Sequence, residues 1–405
     1  MNKKKIINDP IYGFITIPND LIFDCISHPY FQRLRRIRQL GLSHLVYPGA
    51  QHTRFQHALG AMHLMSKAIE SLRSKNVEIT SKEEQAVLAA ILLHDIGHGP
   101  FSHSLESSIL PGVAHELISL SLMQELNTVF NGQLELAISI FKGDYPKNFL
   151  HQLVSGQLDM DRLDYLRRDS FYTGVSEGTI GIERIIQMLN VHEDQLVIDQ
   201  KGVYSIEKFI MARRFMYWQV YLHKTSLAAD QVLTAILKRA KELINNGKNL
   251  FASPAFEYFL KQNIGADQLK NNKEVLVQFN LLDDTDIFNA IKTWQASDDD
   301  VLSRLCSMLV NRTLPKIKIM NTPASEEEIH AEVERVKHKW GLSERDSKYF
   351  VFAGDLANNT YSSESEQIRI LYKDGRICDI SEASETYSFT GEEKPTVKYF
   401  ISYPK

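Results

Sequence analysis

The chain has 405 residues, enough for a sizeable core, and its 46 basic and 50 acidic residues leave a net charge of −4. That balance lacks the strong positive field of a protein that grips nucleic acid non-specifically, so a small-molecule partner is favoured. Cys25, Cys306 and Cys378 are few and widely spaced, which argues against a disulfide framework or a thiolate zinc site and suits a reducing cytoplasm, and no stretch approaches the roughly 20 apolar residues of a membrane span.

In chain order, Asn8-Asp9-Pro10 opens a turn signal followed by alternating apolar residues to Pro18, which predicts a small hairpin at a lid or edge. From Asp20 to Leu40, Ile22, Ile26, Phe31, Leu34 and Ile37 keep helical spacing across a break near Pro29. Arg33, Arg35, Arg36 and Arg38 crowd the remaining faces, where they need counter-anions or solvent. After the turn Tyr47-Pro48-Gly49-Ala50, His57 stands at the start of a helix predicted over 58–71. Ser81 and Glu84 read as a capping box ahead of the apolar run 86–93, which predicts a helix buried on all sides. His94 and Asp95 close that helix, and Gly97 and Gly99 permit backbone angles that return His98 and His103 toward the same spot.

Further helices are predicted from His115-Glu116, over 133–141 and over 150–168. The last places Leu158, Arg162, Tyr165 and Asp169 on one face, flanked by Asp161. Residues 195–199 and 203–205, around Gln200-Lys201-Gly202, read as a hairpin. A long helix then runs from Ile206 to about Asn245, with Arg213, Tyr217, Tyr221 and Lys224 on one stripe. Helices continue to Leu309, after which 316–320, 349–352, 368–372 and 397–403 alternate like strands around a helix capped by Ser325 and Glu328. The expected architecture is mainly α, with a helical region over 1–314 and a small α+β lobe over 315–405.

His57, His94, Asp95 and Asp161 together offer two imidazoles and two carboxylates, a donor set suited to a divalent transition metal or magnesium. This pattern resembles the HD-domain metal-dependent phosphohydrolases. Five stretches narrow the resemblance to the deoxynucleoside triphosphate triphosphohydrolases: Phe31-Gln32-Arg33-Leu34-Arg35-Arg36-Ile37-Arg38-Gln39-Leu40-Gly41, Tyr47-Pro48-Gly49-Ala50, Arg54-Phe55-Gln56-His57, the run from His94 to His103, and Asp159-Met160-Asp161-Arg162-Leu163-Asp164-Tyr165.

The resemblance implies a divalent metal ion (Mg, Mn, Fe, Zn, Co or Ni) held by His57, His94, Asp95 and Asp161. It implies Arg54, His98, His103, Arg162, Tyr165 and Arg213 around a triphosphate, with His115 and Glu116 as catalytic groups beside the α-phosphorus. Gln39, Leu40, Asp169 and Tyr221 would surround the sugar. Arg35, Arg312 and Lys316 would bind an effector nucleotide at a subunit interface of a homodimer or homotetramer. The reaction implied is hydrolysis of deoxynucleoside triphosphates to deoxynucleoside and tripolyphosphate. Two alternatives stay open on the residues alone: another HD-type activity, such as a monophosphatase or cyclic-nucleotide phosphodiesterase, and a non-catalytic nucleotide- or nucleic-acid-binding protein. Taken singly, His52 and His63 read as surface or supporting groups.

Overall fold

Residues 5–101, 105, 108–110, 112–358, 367–384 and 396–405 are described by the computed structural model. The helix Ser81–Leu93 forms its centre because every residue from Ala86 to Leu93 is buried. It packs against the helices Arg54–Ser74, Glu135–Lys142 and Asp20–Ser27, and Arg54–Ser74 in turn packs against Met160–Thr173. The central helix begins one residue earlier than predicted, at a capping box of Thr80 and Glu83. Glu83 takes that role because its carboxylate also accepts from Tyr145 Oη at 2.8 Å and pairs with Lys147, whereas Glu84 turns away to Arg73 at 2.6 Å.

Two helices predicted as continuous are each broken. The segment 150–168 divides into Asn148–Val154 and Met160–Thr173 because Asp159 caps the second helix, accepting from Arg162 N at 2.6 Å and from Gly156 N at 2.9 Å. Leu158 therefore precedes the helix whose face it was expected to share. The segment 206–245 divides into Val203–Met216 and Lys224–Asn245, separated by a single π-helical turn over Tyr217–Tyr221. His223 restarts the helix by accepting from Thr225 N through Nδ1 at 3.1 Å. Apolar periodicity runs through both breaks, so the caps decide the boundaries.

The central hairpin is also displaced from its predicted position. Leu189–His192 pairs with Gln195–Asp199 across Glu193 and Asp194, whose φ values of 49° and 57° make the tight turn, while residues 203–205 open a helix. That hairpin is extended by Arg369–Leu371, parallel to Gln195–Asp199, and then by Ile377–Asp379. A second sheet places Thr396–Tyr403 between Lys316–Met320 and Phe352–Asn358, and the helix Glu326–Trp340 carries the expected Ser325–Glu328 cap. The strand expected at 349–352 starts later because Lys348–Phe350 closes a 3-10 turn. The molecule is thus mainly helical, with small sheets concentrated toward its C-terminal region. Among the described residues no helix is long and apolar enough to cross a membrane.

Candidate metal centre and anion pocket

Three helix ends meet at one point. His57 comes from the first turn of Arg54–Ser74, Asp161 from the first turn of Met160–Thr173, and His94 and Asp95 from the end of Ser81–Leu93. His57 Nε2 lies 3.0 Å from Asp161 Oδ1, and His94 Nε2 lies 3.5 Å from the same oxygen. Each of these three residues offers a ligand atom within 4.8 Å of the other two. Both Nδ1 atoms are engaged, His57 with Asp164 Oδ2 at 2.8 Å and His94 with Ile91 O at 2.6 Å. Carboxylate and carbonyl oxygens only accept, so each Nδ1 carries its proton and each Nε2 faces the site. Those buried Nε2 atoms have no hydrogen-bond partner. Their convergence on a carboxylate fits a divalent ion that takes nitrogen and oxygen ligands. Asp95 flanks the group at 3.3 Å from His94 Nε2, while accepting from Arg54 Nη1 at 2.6 Å.

Charge is tightly matched here. Burial alone favours neutral imidazoles, but Asp161 and Asp164 outweigh it at His57 and raise the ring to about 10. Asp95 and Asp161 do the same at His94, to about 9. Despite their burial, Asp95 and Asp161 are held well below the usual carboxylate range, Asp95 by His94, His98 and Arg54 and Asp161 by His94 and His57. At His98 the balance reverses, because burial and Arg54 outweigh Asp95 and lower the ring to about 3.

His98 stacks on His115, with ring centroids 3.8 Å apart and planes at 21°. Gly97 permits this contact by close approach, with its φ outside the left-handed region: a Cβ there would lie 2.3 Å from both His115 O and Ser119 N. Gly99 likewise stays out of the left-handed region, which Phe101 occupies at φ 49°. Ser119 Oγ pins the two segments together by donating to His94 O at 2.7 Å and accepting from Gly97 N at 2.9 Å. His115 Nε2 is 3.4 Å from Glu116 Oε1, and the Glu116 side chain is mostly in solvent. His103 lies outside the described residues.

The residues expected around a phosphate chain differ in how far the protein already engages them. Arg162 is held by Asp159 and by Gly156 O, and Arg213 donates to Gln157 Oε1 at 3.0 Å. Arg54, Arg162 and Arg213 each keep a buried Nε without a hydrogen-bond partner. Tyr165 meets Tyr221 edge-on at 6.1 Å, and burial raises both phenols above their ordinary range.

The expected sugar wall is joined through His52. Its ring, 1% exposed, contacts Asp169 Oδ1 at 2.8 Å, while Tyr221 Oη donates to Asp169 Oδ2 at 2.8 Å. Gln39 N donates to His52 O at 3.0 Å, and half-buried Leu40 follows it in the chain. His63 stands apart, against the ring of Tyr12 at 5.2 Å. The proposed effector residues sit on separate elements: Arg35 lies over Phe55 at 3.6 Å, Arg312 donates to Leu45 O at 2.8 Å, and exposed Lys316 begins a strand.

Sequence reasoning missed two supports. Arg33, 0% exposed, donates to Ile96 O at 2.9 Å, His98 O at 2.8 Å and Leu282 O at 3.2 Å, so one guanidinium clamps the turn after Asp95. Asp164 was the other, although its position one helical turn after Asp161 was a usable signal.

An HD domain model matches residues 54–144 and an HD associated region model matches 180–253. The first span contains His57, His94 and Asp95, and the fold brings Asp161 to them from outside it. The uncharacterized protein YwfO of Bacillus subtilis is 33% identical, across 100% of this chain and 93% of its own. The human deoxynucleoside triphosphate triphosphohydrolase SAMHD1 is 28% identical across 59% of this chain and 45% of its own, so the chain spans about half of that enzyme. A phosphohydrolase crystal structure from Bacteroides thetaiotaomicron superposes with a TM-score of 0.97, at 54% identity over the whole of both chains.

Proposed function

The chain belongs to the HD-domain phosphohydrolase family, and on that premise we propose that it hydrolyses deoxynucleoside triphosphates to deoxynucleoside and tripolyphosphate. The observation that carries this reading is the convergence of the buried His57 and His94 Nε2 atoms on Asp161 Oδ1, together with buried guanidinium nitrogens of Arg54, Arg162 and Arg213 that no protein acceptor takes. The first set suits a metal, the second a polyanion. His57, His94, Asp95 and Asp161 would hold a divalent ion, which when bound supplies Lewis-acid polarisation of water and phosphoryl oxygen.

The remaining work falls to the chain's own residues. Arg54, Arg162 and Arg213 balance the phosphate charge, with His98 and Tyr165 lining the same pocket. Water attacks the α-phosphorus, the bond from that phosphorus to the sugar's 5′-oxygen breaks, and the departing oxygen takes up a proton. His115 is the group assigned to deliver that proton, since imidazole exchanges protons near neutral pH and Glu116 stands beside it. Gln39, Leu40, Asp169 and Tyr221 close around the sugar.

Incubation with deoxynucleoside triphosphates, ribonucleoside triphosphates, monophosphates and cyclic nucleotides, each with several divalent metals, tests the reading. Phosphorus NMR should show tripolyphosphate, and chromatography free deoxynucleoside, with both absent for Asp161→Ala. Orthophosphate from monophosphates, or monophosphates from cyclic substrates, with no tripolyphosphate would overturn it.

A further inference from the structure

Behind His57, on the side away from Asp161, a second set of charged groups is buried. Asp164 Oδ2 accepts a 2.8 Å hydrogen bond from the His57 Nδ1–H. Arg168 grips the same carboxylate through both oxygens, Nε to Oδ2 at 2.8 Å and Nη2 to Oδ1 at 3.0 Å. Its remaining arm, Nη1, reaches Asp9 Oδ2 at 2.9 Å. Asp9 ends the strand Ile6–Asp9, and its other oxygen accepts from Ile11 N at 2.9 Å and Tyr12 N at 3.1 Å, which closes the turn of the N-terminal hairpin. His57, Asp164 and Arg168 are 0% exposed and Asp9 is 6% exposed. A continuous line of hydrogen bonds therefore runs from the hairpin turn to the ring of His57.

Gly60, one helical turn after His57, independently marks this route. A Cβ there would lie 2.0 Å from Asp164 Oδ1 and 2.3 Å from Arg168 Nη2, so the helix stays bare where the ion pair presses against it. Buried ion pairs contribute little net stability compared with apolar packing, so orientation is the effect to look for. A carboxylate on the far nitrogen of a ligating histidine sets its tautomer and its rotation.

We propose that Asp164, Arg168 and Asp9 are positioning residues for His57, and that seating of the N-terminal hairpin is thereby coupled to metal capture. The proposal rests on the metal-centre reading above, but its tests read metal binding and not turnover. Mn2+ affinity by calorimetry and the visible spectrum of the Co2+-loaded protein are compared among parent, Asp164→Asn and Asp9→Asn, with circular dichroism to establish folding. Asp164→Asn should bind Mn2+ about 10–100-fold more weakly and show a shifted Co2+ spectrum. Asp9→Asn keeps an acceptor for the turn while removing the charge that faces Arg168, and its loss should be smaller, about 3-fold or more.

A folded Asp164→Asn protein with parental Mn2+ affinity and Co2+ spectrum overturns the proposal. Should that variant fail to fold, Asp9→Asn decides on the same two readouts. Amide exchange of Ile11 and Tyr12 in the parent gives a test free of substitution: Mn2+ should slow both, and unchanged exchange overturns the coupling to the hairpin. A parent that binds Mn2+ but turns over no nucleotide overturns the proposed reaction alone. A parent that binds neither Mn2+ nor Co2+ overturns the metal centre and this inference together.

Discussion

His57 divides two unlike regions. Behind it, Asp164 and Arg168 are fully buried, and each charged group meets an opposite charge or a hydrogen bond at 2.8–3.0 Å. In front of it, the His115 side chain is 26% exposed and Arg54, Arg162 and Arg213 hold nitrogens with no hydrogen-bond partner. The contrast teaches that orientation and chemistry are separated. The inner side is fully committed to the protein itself, whereas the outer side holds guanidinium nitrogens that no protein acceptor takes; on the proposed function the first keeps ligand geometry rigid and the second receives the phosphate chain.

The strongest way to break this division is at His115. His115→Ala should lower kcat for dATP by about 10²–10⁴-fold, the span usual for losing a proton-transfer group, with Mn2+ affinity unchanged. Steady-state kinetics and calorimetry on the same preparation check both halves. Weakened metal binding would show that the outer side also orients the ligands, and parental kcat would remove His115 from the chemistry.

A smaller effect is expected at Leu40, which probes the outer side alone. If its side chain walls the sugar, a 2′-hydroxyl enters without a partner, at a cost of about 1–3 kcal/mol. Leu40→Ala should then reduce the preference for dATP over ATP, measured as the ratio of kcat/KM values, by about 5–150-fold. An unchanged ratio in the variant shows that Leu40 is not the gate.

The sequence exposes the outer side more readily than the inner one, and the reason is physical. His57, His94, Asp95 and Asp161 sit in short local motifs at helix ends, where residue type and spacing already constrain geometry. Arg168 meets Asp9 across 159 positions and Arg33 meets His98 across 65, and nothing in one chain's periodicity pairs such residues. Gly60 and Asp164 each follow a predicted ligand by one helical turn, so that part of the inner side was legible but unread. Among the elements, the central helix was clear because an apolar run needs burial on every face. The breaks at Asp159 and His223 were hidden because capping interrupts the backbone without interrupting hydropathy. Lys316–Met320, Arg369–Leu371 and Thr396–Tyr403 were legible as strands, but the union of Arg369–Leu371 with Gln195–Asp199 depends on tertiary placement.

The smallest effect is expected at the end of the central helix remote from His94 and Asp95, where Glu83 separates stability from chemistry. Burial alone would raise the Glu83 carboxyl, but the Thr80 N–H at 2.7 Å, Tyr145 and Lys147 outweigh it and lower the group to about 2. The folded value lies below the ordinary 4.5, so this group's stabilisation is complete above that value and fades as pH falls from 4.5 toward about 2. Glu83→Gln should cost about 1–2 kcal/mol near neutral pH, the scale of a lost helix cap, seen as a Tm lower by about 1–3 °C. The gap between parent and variant should shrink as the pH is lowered toward 3, while kcat near neutral pH stays parental in the folded variant. A gap that persists undiminished would assign the loss to packing and not to the charge. A fall in kcat at full folding would mean that the far end of the helix sets the placement of His94 and Asp95, and the inner region would then extend the length of Ser81–Leu93.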